Sequence, residues 1–188
     1  MPRIVVALQS DFADWEPALL MAAARAYLGC EVLTASPDGE PVVSMGGLRV
    51  QPDLRFDEIE AGAFDALVIP GGMAWEKGSA FDFGPLARAF RAEKKVVAGI
   101  CAAASALAAT GLLDDVAHTG NALASHQRYP GYHGDAFYRD QPQAVSDKRI
   151  VTAPGSSPFT FTVEVLKALD LWVPEAEAEL SAFAAEHR

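Results

Sequence analysis

The chain has 188 residues, 51% hydrophobic and 21% charged, with a formal net charge of −10. Such a length and composition predict one compact domain, 1–188, with a core around a sheet of about five to seven strands, and exclude a disordered chain. The acidic balance argues against a nucleic-acid partner, which needs clustered Lys and Arg, and no apolar run reaches the ~18 residues that cross a membrane.

Arg3 to Leu8 reads as a first strand rather than a signal peptide, which predicts a cytoplasmic setting. Trp15 to Leu28 carries apolar residues at helical spacing and is closed by Gly29, while Glu31 to Ala35 reads as a second strand. Cys30 is expected to be a small buried hydrophobe. Pro41 to Ser44 and Leu48 to Gln51 form a small hairpin around Met45-Gly46-Gly47. Asp65 to Pro70 is a central strand ended by Gly71-Gly72, and Phe83 to Lys94 is a helix.

Lys95 to Ile100 then reads as a buried strand, and Cys101 to Ala108 as a helix that starts at once and stops at Gly111. Further on, Ala144 to Ser146 and Arg149 to Thr152 make a second hairpin about an Asp147-Lys148 turn. Ser157-Pro158 opens a helix to about Leu171 with an N-cap and an N1 proline. Pro174 to His187 predicts a last helix outside the core, and His126 to Gln143 is the one long irregular loop. The alternation of strands and helices predicts an α/β fold, a mostly parallel sheet covered on both faces.

A strand that turns directly into a helix places its junction residue on a tight turn facing a cleft. Cys101 therefore reads as a nucleophile elbow, with the amides of the following turn expected to lower its pKa. The strand ends near it define the candidate partners, because ligands bind at the carboxyl edge of such sheets. Glu16, on the first turn after the first strand, is the best-placed carboxylate, although it also suits a solvated helix-dipole acid. Asp11 and Asp14 compete with it, or serve as the N-cap. The N–H groups of Gly72 and Ala102 are candidate oxyanion donors, and Gly71-Gly72 otherwise suits a tight turn. His118 is a candidate base or orienting group, or else a structural histidine. His126 and His133 are weaker candidates, and His187, at the terminus, is set aside. The histidines lack the i, i+4 spacing of a helical zinc site, and neither HExxH, GxGxxG nor GxxxxGKS/T occurs; no metal or cofactor is expected.

Taken together, Asp14-Trp15-Glu16, Ile69-Pro70-Gly71-Gly72, Ala98-Gly99-Ile100-Cys101-Ala102, His118-Thr119-Gly120-Asn121 and Thr152-Ala153-Pro154-Gly155-Ser156-Ser157 resemble the DJ-1/ThiJ/PfpI superfamily, in its order and spacing, from about Arg3 to Leu171. The resemblance implies a flavodoxin-like three-layer sandwich of the glutamine-amidotransferase-like kind. It assigns Cys101 as reactive thiol, Glu16 as its hydrogen-bonding acid and Gly72 with Ala102 as oxyanion donors. It also implies a homodimer. The intracellular protease branch carries a His after the nucleophile where Ala102 stands, and class I amidotransferases need a late His-x-Glu that is missing. Glu16 and His118 match the branch with glyoxalase, deglycase and redox activities, while Gly46 stands where some members place an arginine. The expected function is thiol-dependent chemistry on small reactive electrophiles such as 2-oxoaldehydes. A redox-sensing or stress-protective protein with an oxidisable Cys101 is the alternative, ahead of a peptidase or a chaperone-like binding protein.

Overall fold

The computed structural model describes residues 1–185. In chain order its elements are β1 (Arg3–Ala7), α1 (Trp15–Ala22), β2 (Glu31–Ser36), β3 (Val42–Val43), β4 (Arg49–Val50), β5 (Leu54–Arg55), β6 (Ala66–Ile69), α2 (Met73–Glu76) and α3 (Gly84–Ala92). There follow β7 (Val96–Ile100), α4 (Ala102–Ala106), α5 (Leu123–Gln127), β8 (Val145–Asp147), β9 (Ile150–Ala153), α6 (Pro158–Ala168) and α7 (Pro174–Ala185). Among the described residues a seven-stranded sheet runs β5-β2-β1-β6-β7-β9-β8, and β3 pairs with β4 as a separate hairpin. All neighbours in the large sheet are parallel except β8 and β9.

The strands are apolar throughout because both faces of the sheet are covered. Successive side chains supply two cores: Ile4 and Val6 of β1 enter one with Leu20, Phe161 and Val165, while Val5 and Ala7 enter the other with Ala87, Phe90 and Leu107. Each fully buried aliphatic side chain contributes about 1.5–3 kcal/mol relative to exposure. The short β7 must carry a helix tightly against its end. Gly99 permits this, since a Cβ there would lie 3.0 Å from Leu107 Cδ1 and 3.2 Å from the Ala103 backbone.

Several expectations need adjustment. The first helix is not uniformly α: it passes into a π-helical turn over Ala23–Tyr27 before Gly29, at φ +65°, releases the chain into β2. The edge strand β5 carries too short a pattern to read. Ser157 does not cap α6 with its side chain; its hydroxyl donates to the Pro142 carbonyl instead, while Pro158 does occupy the first turn. The second hairpin turns at Lys148 and Arg149, which take φ of +46° and +65°, one residue beyond the expected turn. The loop from His126 is partly ordered by α5 and by a 3-10 turn, Asp135–Phe137. In α7, Ala176 and Leu180 are buried and Leu180 belongs to the first core, so this helix closes that core instead of lying outside it. His187 and the expected end of that helix lie outside the described residues.

Candidate active site

The strand order reverses between β1 and β6. From β1 the chain winds outward through β2 to β5, then returns to build β6, β7, β9 and β8 on the other side. The crevice beyond the carboxyl ends of β1, β6 and β7 is thus the switch point of the sheet, and the segments that follow these strands hold Glu16, Gly71-Gly72 and Cys101.

Cys101 stands between β7 and α4 with φ 62° and ψ −126°. A non-glycine residue with that φ is strained, at a cost of about 1–3 kcal/mol. Its surroundings hold it there: the Cys101 N–H donates to the Ala153 carbonyl at 2.9 Å, and Ala102 begins α4 at once. The elbow read from the sequence is the geometry found.

Two glycines let the β6 end approach the elbow. A Cβ on Gly71 would lie 2.7 Å from Cys101 Cβ. Gly72 has φ 140°, and a Cβ there would lie 2.1 Å from the Asp11 carbonyl oxygen. Gly72 bridges Phe12 through flanking bonds: Ala13 N–H donates to the Gly71 carbonyl at 3.1 Å and Met73 N–H to that of Asp11 at 2.9 Å. The Gly72 N–H itself donates to no described residue, which leaves it free for a ligand oxygen. The Ala102 amide lies at the sulfur and favours its thiolate.

Glu16 is 0% exposed. One carboxyl oxygen, Oε2, accepts the Gly71 N–H at 2.6 Å. The other, Oε1, is buried and has no hydrogen-bond partner among the described residues, and the Cys101 thiol is the one side chain that stabilises the ionised carboxylate. The solvated helix-dipole role is thereby removed. Asp14 does not compete: its carboxylate accepts from the Ser44 hydroxyl and, at 2.8 Å, from the Gly46 N–H, and so clasps the β3–β4 hairpin. Burial works against its charge, but these two bonds outweigh it and lower its pKa. Asp11 pairs with Lys77 at 2.5 Å. Neither aspartate caps α1 with its side chain.

Burial pushes Glu16 up to about 7, against the opposing bonds from Gly71 and Cys101. Burial also pushes the Cys101 thiol up to about 11, helped by the charge of an ionised Glu16 and opposed by Asn121 and the Ala102 amide. This corrects the expectation of a thiol lowered by its helix. A helix as short as α4 offers little dipole, and burial of the thiol, followed by the charge of the facing carboxylate, outweighs it. The two groups hold one proton between them near neutrality. Whenever Glu16 carries it, the repulsion on the sulfur vanishes and the thiolate gains a donor.

His118 is not brought to the thiol. It is 0% exposed, with Nδ1 2.7 Å from the Val116 carbonyl oxygen and Nε2 2.7 Å from the Tyr132 hydroxyl. It stacks within a ring cluster of His126, Tyr132 and Tyr138, and burial lowers its pKa. The structural alternative is therefore the one its surroundings support. His126 lies in the same cluster, pushed down to about 4 by burial. His133 is exposed, its N–H donating to Asp114.

Asn121 and Gly155 complete the site, and sequence reasoning passed over both. Asn121 Nδ2 donates to Cys101 Sγ at 3.3 Å, while its Oδ1 accepts the Gly155 N–H at 2.9 Å. Trp15 Nε1 donates to the Gly155 carbonyl at 2.9 Å, so that residue is held from both sides. A Cβ on Gly155 would lie 2.8 Å from Cys101 Sγ and 3.1 Å from Glu16 Oε1. Both residues sat in segments quoted for the resemblance, but nothing local marked them as neighbours of the sulfur. Among the described residues no cluster of three or more His, Cys, Asp or Glu could hold a metal ion.

A strained cysteine on a strand–helix elbow, with a buried glutamic acid and a free glycine amide at the switch point, forms the candidate site of a protein of flavodoxin-like fold. The chain belongs to the DJ-1/PfpI family, whose model matches residues 2–168. It superposes on the crystal structure of the DJ-1 superfamily protein Atu0886 from Agrobacterium tumefaciens with a TM-score of 0.98, at 65% identity over 100% of both chains. The uncharacterized protease YoaZ of Bacillus subtilis is 35% identical over 87% of this chain and 81% of its own. The glutathione-independent glyoxalase DJR-1.2 of Caenorhabditis elegans is 25% identical over 76% and 75%.

Proposed function

We propose that the protein is a thiol-dependent enzyme acting on small reactive carbonyl compounds, with glyoxalase- or deglycase-like chemistry. The observation that carries this reading is the Glu16–Cys101 pair: a fully buried acid, pushed up to about 7, with one oxygen held by Gly71, the other unpartnered, and the nucleophile as its side-chain neighbour. Proton transfer from Glu16 needs little driving force at neutral pH, and sulfur is strongly nucleophilic as the thiolate.

With a 2-oxoaldehyde, the Cys101 thiolate attacks the aldehyde carbon. A C–S bond forms and the carbonyl electron pair moves to oxygen, where the Gly72 and Ala102 N–H groups receive it. Glu16 donates its proton to give the hemithioacetal. The ionised Glu16 then takes the proton from that carbon and delivers it to the neighbouring one, while the hydroxyl proton of the hemithioacetal passes to the neighbouring carbonyl oxygen, which leaves a thioester of a 2-hydroxy acid. Water cleaves the thioester, releasing the acid and the thiol. His118, with both ring nitrogens engaged, supports the loop that carries Asn121. The name of the nematode relative is compatible with this reading. Methylglyoxal turnover by wild type, Cys101→Ser and Glu16→Gln tests it; a wild-type rate equal to background rejects it.

One observation favours a second reading. The Glu16 carboxyl and the Asn121 amide both aim at the sulfur, and either can donate to the oxygens of a sulfinate formed by an oxidant. Mass spectrometry after mild peroxide decides: a Cys101 left unmodified at doses that oxidise free cysteine removes this role. We also propose a cytoplasmic homodimer. The apolar groove of about 600 Å³ between α1 and the hairpin, bordered by exposed Leu48, supports the dimer, and light scattering tests it. No described helix is long and apolar enough to cross a membrane.

A further inference from the structure

A cavity of about 270 Å³ adjoins the site through Ala102, which follows Cys101, and Asn121, which donates to its sulfur, and is lined beyond them by Trp75, Ser105, Ser125, Arg128 and Tyr129. Two of its lining residues carry a buried polar atom that bonds to no described residue: the Ser105 hydroxyl and the Trp75 indole N–H. Ser105 is 4% exposed, and leaving a buried hydroxyl unpaired costs about 1–3 kcal/mol. Nothing in the Glu16–Cys101 chemistry uses either group. Arg128, at the end of α5, enters no ion pair among the described residues. Glu76 is the one acid on the lining and is exposed at its rim.

The groups offered are therefore dominated by donors: an indole N–H, the hydroxyls of Ser105, Ser125 and Tyr129, and a guanidinium, next to an asparagine whose own oxygen is already taken by Gly155. Such a set is matched by an acceptor with formal negative charge and two oxygens, and a guanidinium is suited to a carboxylate. On a chain of net charge −10 an anion gains nothing from the overall field, so recognition must come from this local group.

We propose that this cavity is a carboxylate subsite, and that the carbonyl compound taken by Cys101 is an anionic one, a small aldehyde or 2-oxo acid of the glyoxylate type. Arg128 and Ser105 bind the carboxylate while the carbonyl carbon meets the thiolate. The C–S bond forms, the carbonyl pair moves to oxygen, and Glu16 supplies the proton, giving a reversible hemithioacetal. The inference rests on the carbonyl reading above for its chemistry but not for its geometry.

The test compares two alkylating agents of equal size, iodoacetate and iodoacetamide, in the Cys30→Ala background. Relative to free cysteine in the same buffer, the iodoacetate-to-iodoacetamide rate ratio at Cys101 is expected to be raised about tenfold, the effect of one hydrogen bond to a charged group. Arg128→Gln and Ser105→Ala each lower the ratio, and Glu76→Gln raises it. A ratio no higher than that of free cysteine overturns the proposal, as does a raised ratio indifferent to both Arg128→Gln and Ser105→Ala. Should Cys101 resist both reagents, oxamate is titrated into Cys101→Ser and followed through the Trp75 indole N–H resonance. A saturable shift weakened about tenfold by Arg128→Gln supports the subsite, and no shift overturns it. Oxamate binding with neither methylglyoxal turnover nor a glyoxylate hemithioacetal at Cys101 would sink the carbonyl reading alone. Turnover without oxamate binding would sink the subsite alone.

Discussion

Replacing Glu16 by glutamine should stabilise the protein, and only in alkaline or neutral solution. Glutamine keeps the shape of the side chain and an oxygen for the Gly71 N–H, but it cannot ionise. In wild type the folded-state pKa stands near 7 against an ordinary 4.5. A pKa raised by folding means that the native state holds the proton more tightly. The resulting stabilisation is complete below about pH 4.5 and is lost as the pH rises through 7. The difference, 7 − 4.5, corresponds to about 3 kcal/mol at 1.36 kcal/mol per pH unit. The amide's imperfect fit to the sulfur offsets part of it, so a net gain of about 1–3 kcal/mol is expected at pH 8, or roughly 2–12 °C in Tm for a chain of this size. At pH 4.5 the gain should vanish. Urea unfolding of both proteins at pH 4.5, 6 and 8 measures it. A variant less stable than wild type at pH 8, or a difference independent of pH, would refute the reasoning that a buried, costly charge sits at this position.

Gly155→Ala should leave the fold intact and slow Cys101 alkylation by about tenfold or more, because the new Cβ falls 2.8 Å from the sulfur; unchanged alkylation kinetics would contradict the placement of Gly155. Asn121→Ala should raise the thiol pKa further by removing a donor to the sulfur, seen as an alkaline shift of the alkylation profile. His126 is lowered by folding from 6.5 to about 4, so its contribution is present above pH 6.5 and lost as the pH falls through 4. His126→Leu should flatten that part of the acid-unfolding curve, as followed by circular dichroism. Gly72→Ala should cost more than about 3 kcal/mol or prevent folding, since a 2.1 Å contact with the Asp11 carbonyl cannot be relieved by a side-chain rotation.

What could be read from the sequence was local. The β7-to-α4 junction, the glycines after β6 and the acid after β1 each announce themselves within a few residues, and the topology of a parallel sheet brings their ends together. Residues that act across the chain were not marked in this way. Asn121 reaches the sulfur across 20 residues and Gly155 meets Asn121 across 34, with no periodicity or spacing to announce either contact. His118 misled for the same reason: a histidine near the elbow helix suits a base, but its ring turns towards Tyr132 and the backbone of Val116. Ser157 carried a capping signal that the Pro142 carbonyl, 15 residues away, outcompeted. The direction of the thiol pKa is not legible because a helix terminus is visible in sequence, whereas the burial of the thiol and the charge of the carboxylate facing it are not.

The central claim is that Glu16 and Cys101 share one proton. Thiolate absorbance followed from pH 5 to 12 in the Cys30→Ala background tests it most directly. Two steps are expected in wild type, the first near 7 and the second near 11, and a single step in Glu16→Gln. One step in wild type, unmoved by Glu16→Gln, would contradict it.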